Sequence, residues 1–196
     1  MNNTKSRILD AALISFAEKG YKGTNLRDLA ADSDLTKSAL YRHFESKEAI
    51  WNAVIDMMED YYAKHFGSPE NMPKVPKTCE ELIKMTMEML NFTVNDQRVI
   101  LTRQLLLTEQ FHDERARKLT TLHFLTGTKD IYKKVFEEMM SDGILKKGDP
   151  EMLAFAYTSP ISALVQLCDR EPEKKPEIMR YIEMYLNHFI KTYAKE

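Results

Sequence analysis

The stretch Leu35 to Lys47, Leu-Thr-Lys-Ser-Ala-Leu-Tyr-Arg-His-Phe-Glu-Ser-Lys, carries the most pointed chemistry in this chain. Its spacing predicts a short helix. Leu40 and Phe44, four apart, share the inward side. Lys37, Ser38, Ala39, Tyr41, Arg42 and His43 are left outside. That outer side offers ammonium, guanidinium, imidazole and hydroxyl donors beside two small residues. From Thr36 to Phe44 it holds no carboxylate. A helix face meant only for water mixes both signs of charge. This one suits close approach to an anion, and the base edges and phosphates of DNA are such a partner.

Other chemistries find little support. The chain has no G-x-G-x-x-G, P-loop, G-x-S-x-G or H-E-x-x-H motif. Glu109 and His112 stand in the Glu-x-x-His spacing of di-iron bundles, but no other histidine has Glu three positions earlier. A surface ion pair or a polar pocket group explains the pair better than a metal. No catalytic residue, metal ligand or cofactor is therefore assigned. Cys79 and Cys168 lie far apart, which excludes a zinc module or disulfide scaffold and favours a reducing cytoplasm. The long uncharged run from Met152 to Cys168 is too short and too polar to span a membrane.

The elements that must hold the donor face are also legible. Thr36 is expected to cap the recognition helix at its N-terminus. Thr24 to Ala31 reads as another short helix, with Thr24 as its cap and Leu26, Leu29 and Ala30 inward. Asp32-Ser33-Asp34 is the turn between them. Two short helices around a tight turn give the helix-turn-helix pattern, although an ordinary helical corner can share it. Residues 4–19 predict a first helix through Ile8, Leu9, Ala12, Leu13 and Phe16, closed by Gly20. Ser46 is expected to cap a long helix running to about His65, a lever between head and body.

Gly20 to Ala30, Leu35 to Phe44 and Ser46 to Ile50 together resemble the tetracycline-repressor-like (TetR) family of bacterial transcription regulators. The resemblance covers about residues 4–54. Leu40-Tyr41, His43-Phe44 and Lys47-Glu48 are its most specific part. The family usually has glycine in the turn where this chain has Asp34, a residue that tolerates left-handed backbone. The resemblance implies a dimer placing two heads on an imperfect palindrome of double-stranded DNA. Thr36, Lys37, Ser38 and Ala39 would lie at the base edges, with Lys37 able to donate to guanine. Arg27 is where the family often reaches a base. Thr24, Tyr41, His43 and Lys47 would grip phosphate, and Arg42 completes the interface. Tyr21 either packs in the core or touches phosphate.

The rest of the chain reads as helix throughout, so the expected class is all-α with about nine helices. A DNA-binding domain at 1–47 would precede an effector-binding and dimerisation domain at 48–196. Residues 1–47 hold eight Lys and Arg against six Asp and Glu, while the whole chain has net charge −2. A mildly basic head on an acidic body fits a DNA reader. Three prolines break the chain between Gly67 and Lys77. Further helices are expected from Thr78 to Asn95, from Asp96 to Phe111, and from Asp113 to Asp142 with Leu119, Leu122 and Ile131 on its apolar stripe. The helix at 150–169 is apolar nearly all round and the one at 177–193 has a broad apolar face, which points to a homodimer. Met85, Met89, Phe92, Phe111, His123, Phe124 and Tyr157 are the candidate lining of an effector pocket, each also readable as plain core. The reading is thus a ligand-responsive, non-enzymatic repressor. A helical-bundle enzyme or metal-binding protein is the alternative.

Overall fold

The computed structural model describes residues 3–67 and 74–195. Prolines 69 and 73, part of the expected loop, lie outside the described residues. The architecture is all-α. Ten α-helical segments occur in the order α1 (Asn3–Gly23), α2 (Leu26–Asp32), α3 (Lys37–Tyr41), α4 (Lys47–Phe66), α5 (Cys79–Asn95), α6 (Gln97–Glu109), α7 (Glu114–Thr121), α8 (Gly127–Ser141), α9 (Pro150–Arg170) and α10 (Lys175–Tyr193). A π-helical turn, Leu122–Thr126, joins α7 to α8 without a break. Among the described residues there is no strand, only an isolated bridge between Leu145 and Ala194.

The chain packs as two compact units. One comprises residues 1–65 and 97–120, and the other comprises 66–96 and 121–196. In the first unit α1 contributes Ile8, Leu13 and Phe16 to a core shared with Leu29, Leu40, Trp51, Val54 and Ile55. α6 completes this core with Leu101, Leu105 and Leu106, and α7 adds Ala116 and Leu119. These packing units do not follow the expected boundary at residue 47. The first unit is larger than residues 1–47, because residues of α4, α6 and α7 share one core with those of α1 to α3.

The second unit is built around aromatic rings of α8, α9 and α10. The Tyr157 ring lies edge-on to Phe136 at 5.2 Å and to Phe189 at 4.7 Å. Thr86 Oγ1 of α5 lies 2.8 Å from both the Tyr132 and Tyr157 hydroxyls, and 2.9 Å from the Leu82 carbonyl to which it donates. α9 contains Pro160, whose missing N–H leaves the Ala156 carbonyl without its helical donor. The Tyr185 hydroxyl of α10 donates to that carbonyl instead.

Two corrections concern α7 and α8. The expected single helix from 113 to 142 is interrupted by the π turn, which inserts one residue into the repeat and rotates the helix beyond it. Leu122, expected on the apolar stripe, is consequently exposed. Gly127 permits the turn, since a Cβ there would lie 2.8 Å from the Leu122 carbonyl oxygen.

Candidate nucleic-acid interface

Local chemistry fixes the recognition helix. The Ala39 amide donates to Thr36 Oγ1 at 3.2 Å, the expected N-cap. Leu40 and Phe44 are both buried, which turns the intervening face outward. Thr36, Lys37, Ser38, Tyr41 and Arg42 are exposed, and Ala39 and His43 are half-buried. Lys37 Nζ lies 5.8 Å from the centre of the Tyr41 ring, a contact that keeps the ammonium along the face.

The turn before α3 is held from outside. Asp34 takes the left-handed conformation at φ 54°. Arg7 Nη2 of α1 donates to the Ser33 carbonyl and to Asp34 Oδ2, each at 2.7 Å. Asp34 is thereby paired with a cation beside the donor face. Asp28 of α2 accepts from Asn25 Nδ2 at 2.6 Å.

The second helix corrects one expectation. Asn25 caps α2, its Oδ1 accepting the Arg27 and Asp28 amides at 3.0 and 2.9 Å. Thr24 is only 2% exposed. Its hydroxyl donates to the Gly20 carbonyl at 3.0 Å and lies 3.1 Å from the Ser15 hydroxyl. Thr24 therefore looks into the head, while Arg27 on the next turn is exposed.

α4 opens beside this face. Ser46 Oγ accepts the Ala49 amide at 3.0 Å, the expected cap. Lys47 Nζ sits over the Tyr21 ring, 4.5 Å from its centre. Burial holds the Lys47 ammonium below its ordinary pKa, and the Glu109 carboxylate pulls it partly back up. Tyr21 is half-buried, its ring 5.8 Å from Phe16 and 5.2 Å from Trp51. Burial pushes its hydroxyl upward, and the Glu48 and Asp113 charges add to this. Arg7, Asn25 and Glu109 are the supports that sequence reasoning missed.

Six of the seven candidate pocket residues fall in the second unit. Met85, Met89 and Phe92 are half-buried on α5, with Phe92 5.8 Å from the Phe66 ring. Phe124 is half-buried in the π turn, and its carbonyl accepts from Ser162 Oγ at 3.0 Å. His123 lies in the same turn, where burial pushes its imidazole down to about 4. Tyr157 is fully buried. Phe111, an expected interior residue, is the correction: α6 ends at Glu109, and the turn after it leaves Phe111 82% exposed in the first unit. Glu109 and His112 do not act together, since Glu109 is buried and His112 exposed.

Residues 8–54 match the family model for bacterial regulatory proteins of the tetR family. Over this N-terminal segment the chain is of the tetR type. It is 19% identical to the probable HTH-type transcriptional regulator YttP of Bacillus subtilis (strain 168) over 194 residues, 99% of this chain and 90% of that protein. A 57-residue stretch is 42% identical to IcaR, the negative regulator of the biofilm operon icaADBC in Staphylococcus aureus (strain Newman); it covers 29% of this chain and 31% of IcaR. The chain thus spans about a third of IcaR. The structure of SmeT in complex with triclosan superposes with a TM-score of 0.71 at 20% identity, covering 98% of this chain and 92% of that one. At such identity the likeness is one of fold. The matched segment contains the helix-turn-helix of α2 and α3, and the helical segments α5 to α10 follow it in the chain. No helix among the described residues is long and apolar enough to cross a membrane.

Proposed function

We propose that this tetR-family protein is a dimeric transcriptional repressor whose hold on an imperfectly palindromic operator is released by a small, largely apolar effector. The observation that carries the DNA half is the exposed, carboxylate-free face of α3, capped at Thr36 and backed by buried Leu40 and Phe44. Lys37, with Thr36, Ser38 and Ala39 around it, reads base edges at the N-terminal end of the helix, and Arg27 reaches a base from α2. Tyr41, Arg42, His43 and Lys47 hold phosphates. Thr24 enters only through its place at the start of α2, because its hydroxyl is used inside the head. IcaR is named a negative regulator and SmeT a repressor, which supports repression here.

Residues 1–47 bind DNA and residues 48–196 bind effector and partner. Met152 and Phe155 of α9 and Tyr181 and Met184 of α10 are large apolar side chains left exposed, which supports a homodimer through these two helices. Met85, Met89, Phe92, His123, Phe124 and Tyr157 form the effector region. On α9, two residues from Tyr157, the Ser159 hydroxyl is buried without a partner, a ready hydrogen-bonding group for a bound molecule. SmeT has been seen in complex with triclosan, which supports a small-molecule effector here. By linkage, effector and operator weaken each other by the same factor.

The test begins with operator selection from a randomised duplex library by the purified protein. Lys37→Ala should then change base preference at particular positions, whereas Tyr41→Phe should weaken all sequences about equally. An unchanged preference profile for Lys37→Ala would refute its base-reading role. Failure to enrich any duplex would refute sequence-specific DNA binding.

A further inference from the structure

Glu109 is the residue of the Glu-x-x-His pair that the DNA-binding reading leaves unused. It lies on α6 and is only 6% exposed, a costly place for a carboxylate without hydrogen bonds. Its Oε1 accepts the Tyr21 amide at 2.8 Å, from 88 residues away in the chain. The contact falls where α1 breaks. Gly20 has φ 70° and ψ 168°, outside the helical region. A Cβ at Gly20 would stand 3.0 Å from Glu109 Oε1, so this glycine serves both the backbone turn and the approach of the carboxylate.

The residues just beyond the break lead to the DNA-facing side. The Tyr21 amide is pinned by Glu109, and the Tyr21 ring carries Lys47 Nζ at 4.5 Å. The ring cannot slide away, because Phe16 and Trp51 pack against it. Lys47 is the first residue of α4, the helix that follows the recognition helix in the chain. A buried group on α6 therefore sets the height of a ring, and the ring sets the place of a cation.

We propose that Glu109 is a positioning residue for DNA binding: by fixing the Tyr21 amide it holds the Tyr21 ring beneath Lys47 and keeps that ammonium at the phosphate. The inference rests on the reading of Lys47 as a phosphate contact. It also links α6 to the start of α4 through the Tyr21 amide and ring.

The experiment uses the full-length protein and the duplex selected from the randomised library, titrated over a range of salt concentrations. Lys47→Ala should lower the slope of log affinity against log salt by about 0.9 for each phosphate no longer neutralised. Glu109→Met fills the same space but removes the acceptor. It should reproduce that slope change, weaken binding roughly 3- to 10-fold on every sequence, and add little to Lys47→Ala in the double variant. Glu109→Gln retains an acceptor oxygen and should stay within about twofold of the unmodified protein. Should Glu109→Met not fold, Glu109→Asp withdraws the acceptor by one methylene while keeping the charge, and the same fall in slope is expected. A normal slope and affinity for the folded Met or Asp variant, alongside a changed slope for Lys47→Ala, overturns the role of Glu109. An unchanged slope for Lys47→Ala instead overturns the phosphate contact on which the inference rests.

Discussion

Replacing Thr86 by valine should be among the most damaging isosteric changes in the body. The Thr86 hydroxyl has one proton and two lone pairs. It gives the proton to the Leu82 carbonyl at 2.9 Å, so Tyr132 and Tyr157 must each donate to Thr86 Oγ1, both at 2.8 Å. Burial pushes the Tyr132 hydroxyl up to about 12, the Thr86 bond opposing this, and holds Tyr157 well above its ordinary range. Both are therefore protonated donors at neutral pH. Valine preserves volume and opens no cavity, but leaves two buried hydroxyls without an acceptor, each costing about 1–3 kcal/mol. The expected loss is roughly 2–4 kcal/mol once relaxation is allowed, or about 4–16 °C in melting temperature for a chain of this size. Urea unfolding followed by circular dichroism measures it. Adding Tyr132→Phe and Tyr157→Phe removes the orphaned donors too, and the triple variant should recover most of the loss. If Tyr157 instead kept its hydroxyl ready for a ligand, Thr86→Val would cost less than about 1 kcal/mol and the triple variant would recover nothing. Either result would refute the shared-acceptor role of Thr86. Alkaline titration gives an independent arm. The folded Tyr132 value lies above the ordinary 10, so its contribution is fully present below pH 10 and is lost as pH rises toward 12.

Asp34→Ala should destabilise the head by about 1–2 kcal/mol in urea titrations, because alanine tolerates the left-handed backbone less well than aspartate and cannot pair with Arg7. Asp34→Gly should stay within about 1 kcal/mol of the unmodified protein, since strain relief offsets a surface ion pair worth little; equal losses for Ala and Gly would show that backbone strain at this turn is negligible. His123, half-buried and with its imidazole pushed down to about 4 by desolvation, should make the fold acid-sensitive. Its folded value lies below the ordinary 6.5, so the unfolded chain takes the proton first and stability falls as pH drops from 6.5 to 4, by at most about 3 kcal/mol. His123→Gln should flatten that part of the stability profile, and an unchanged profile would show that other groups carry it. Phe155→Asp places a charge on an exposed apolar position of α9 and should give a folded monomer by light scattering, whereas Leu164, half-buried against the body core, should unfold the protein when charged. A dimer that survives Phe155→Asp would place the interface elsewhere.

Much of the head is legible in the sequence because its determinants are local. A cap reaches only two or three residues, so Thr36 and Ser46 can be read from the chain beside them. The inward pair Leu40 and Phe44 follows from helical spacing, and the left-handed Asp34 from its place in a tight turn. The features that escape such reading depend on distant partners or on a single inserted residue. Thr24 and Asn25 are both good caps, and the choice falls to Asn25 because the Gly20 carbonyl and Ser15 claim the Thr24 hydroxyl. Arg7 with Asp34 and Glu109 with Tyr21 join residues far apart in the chain, and no local pattern announces them. The π turn at Leu122–Thr126 shifts the apolar register, so a stripe read straight through it puts Leu122 on the wrong side. Residue type alone puts Phe111 in the interior, but it lies in the turn beyond α6.

The first packing unit is discontinuous, and this bears on how the protein is born. Its core needs Leu101, Leu105 and Leu106, yet residues 66–96 between α4 and α6 belong to the other unit. A ribosome that has released only the residues up to His65 has delivered most of a core with no lid. Ile55 and Met58, fully covered in the finished molecule, belong to that core. The nascent head must wait until α6 emerges, while α5, already outside, waits longer still for α8 to α10. Such a chain is exposed to chaperones and proteases during synthesis in a way that a contiguous head would not be. By the same logic, a fragment cut at residue 65 to isolate the DNA-binding head is expected to be unstable, and one that adds residues 97–120 through a short linker should fold.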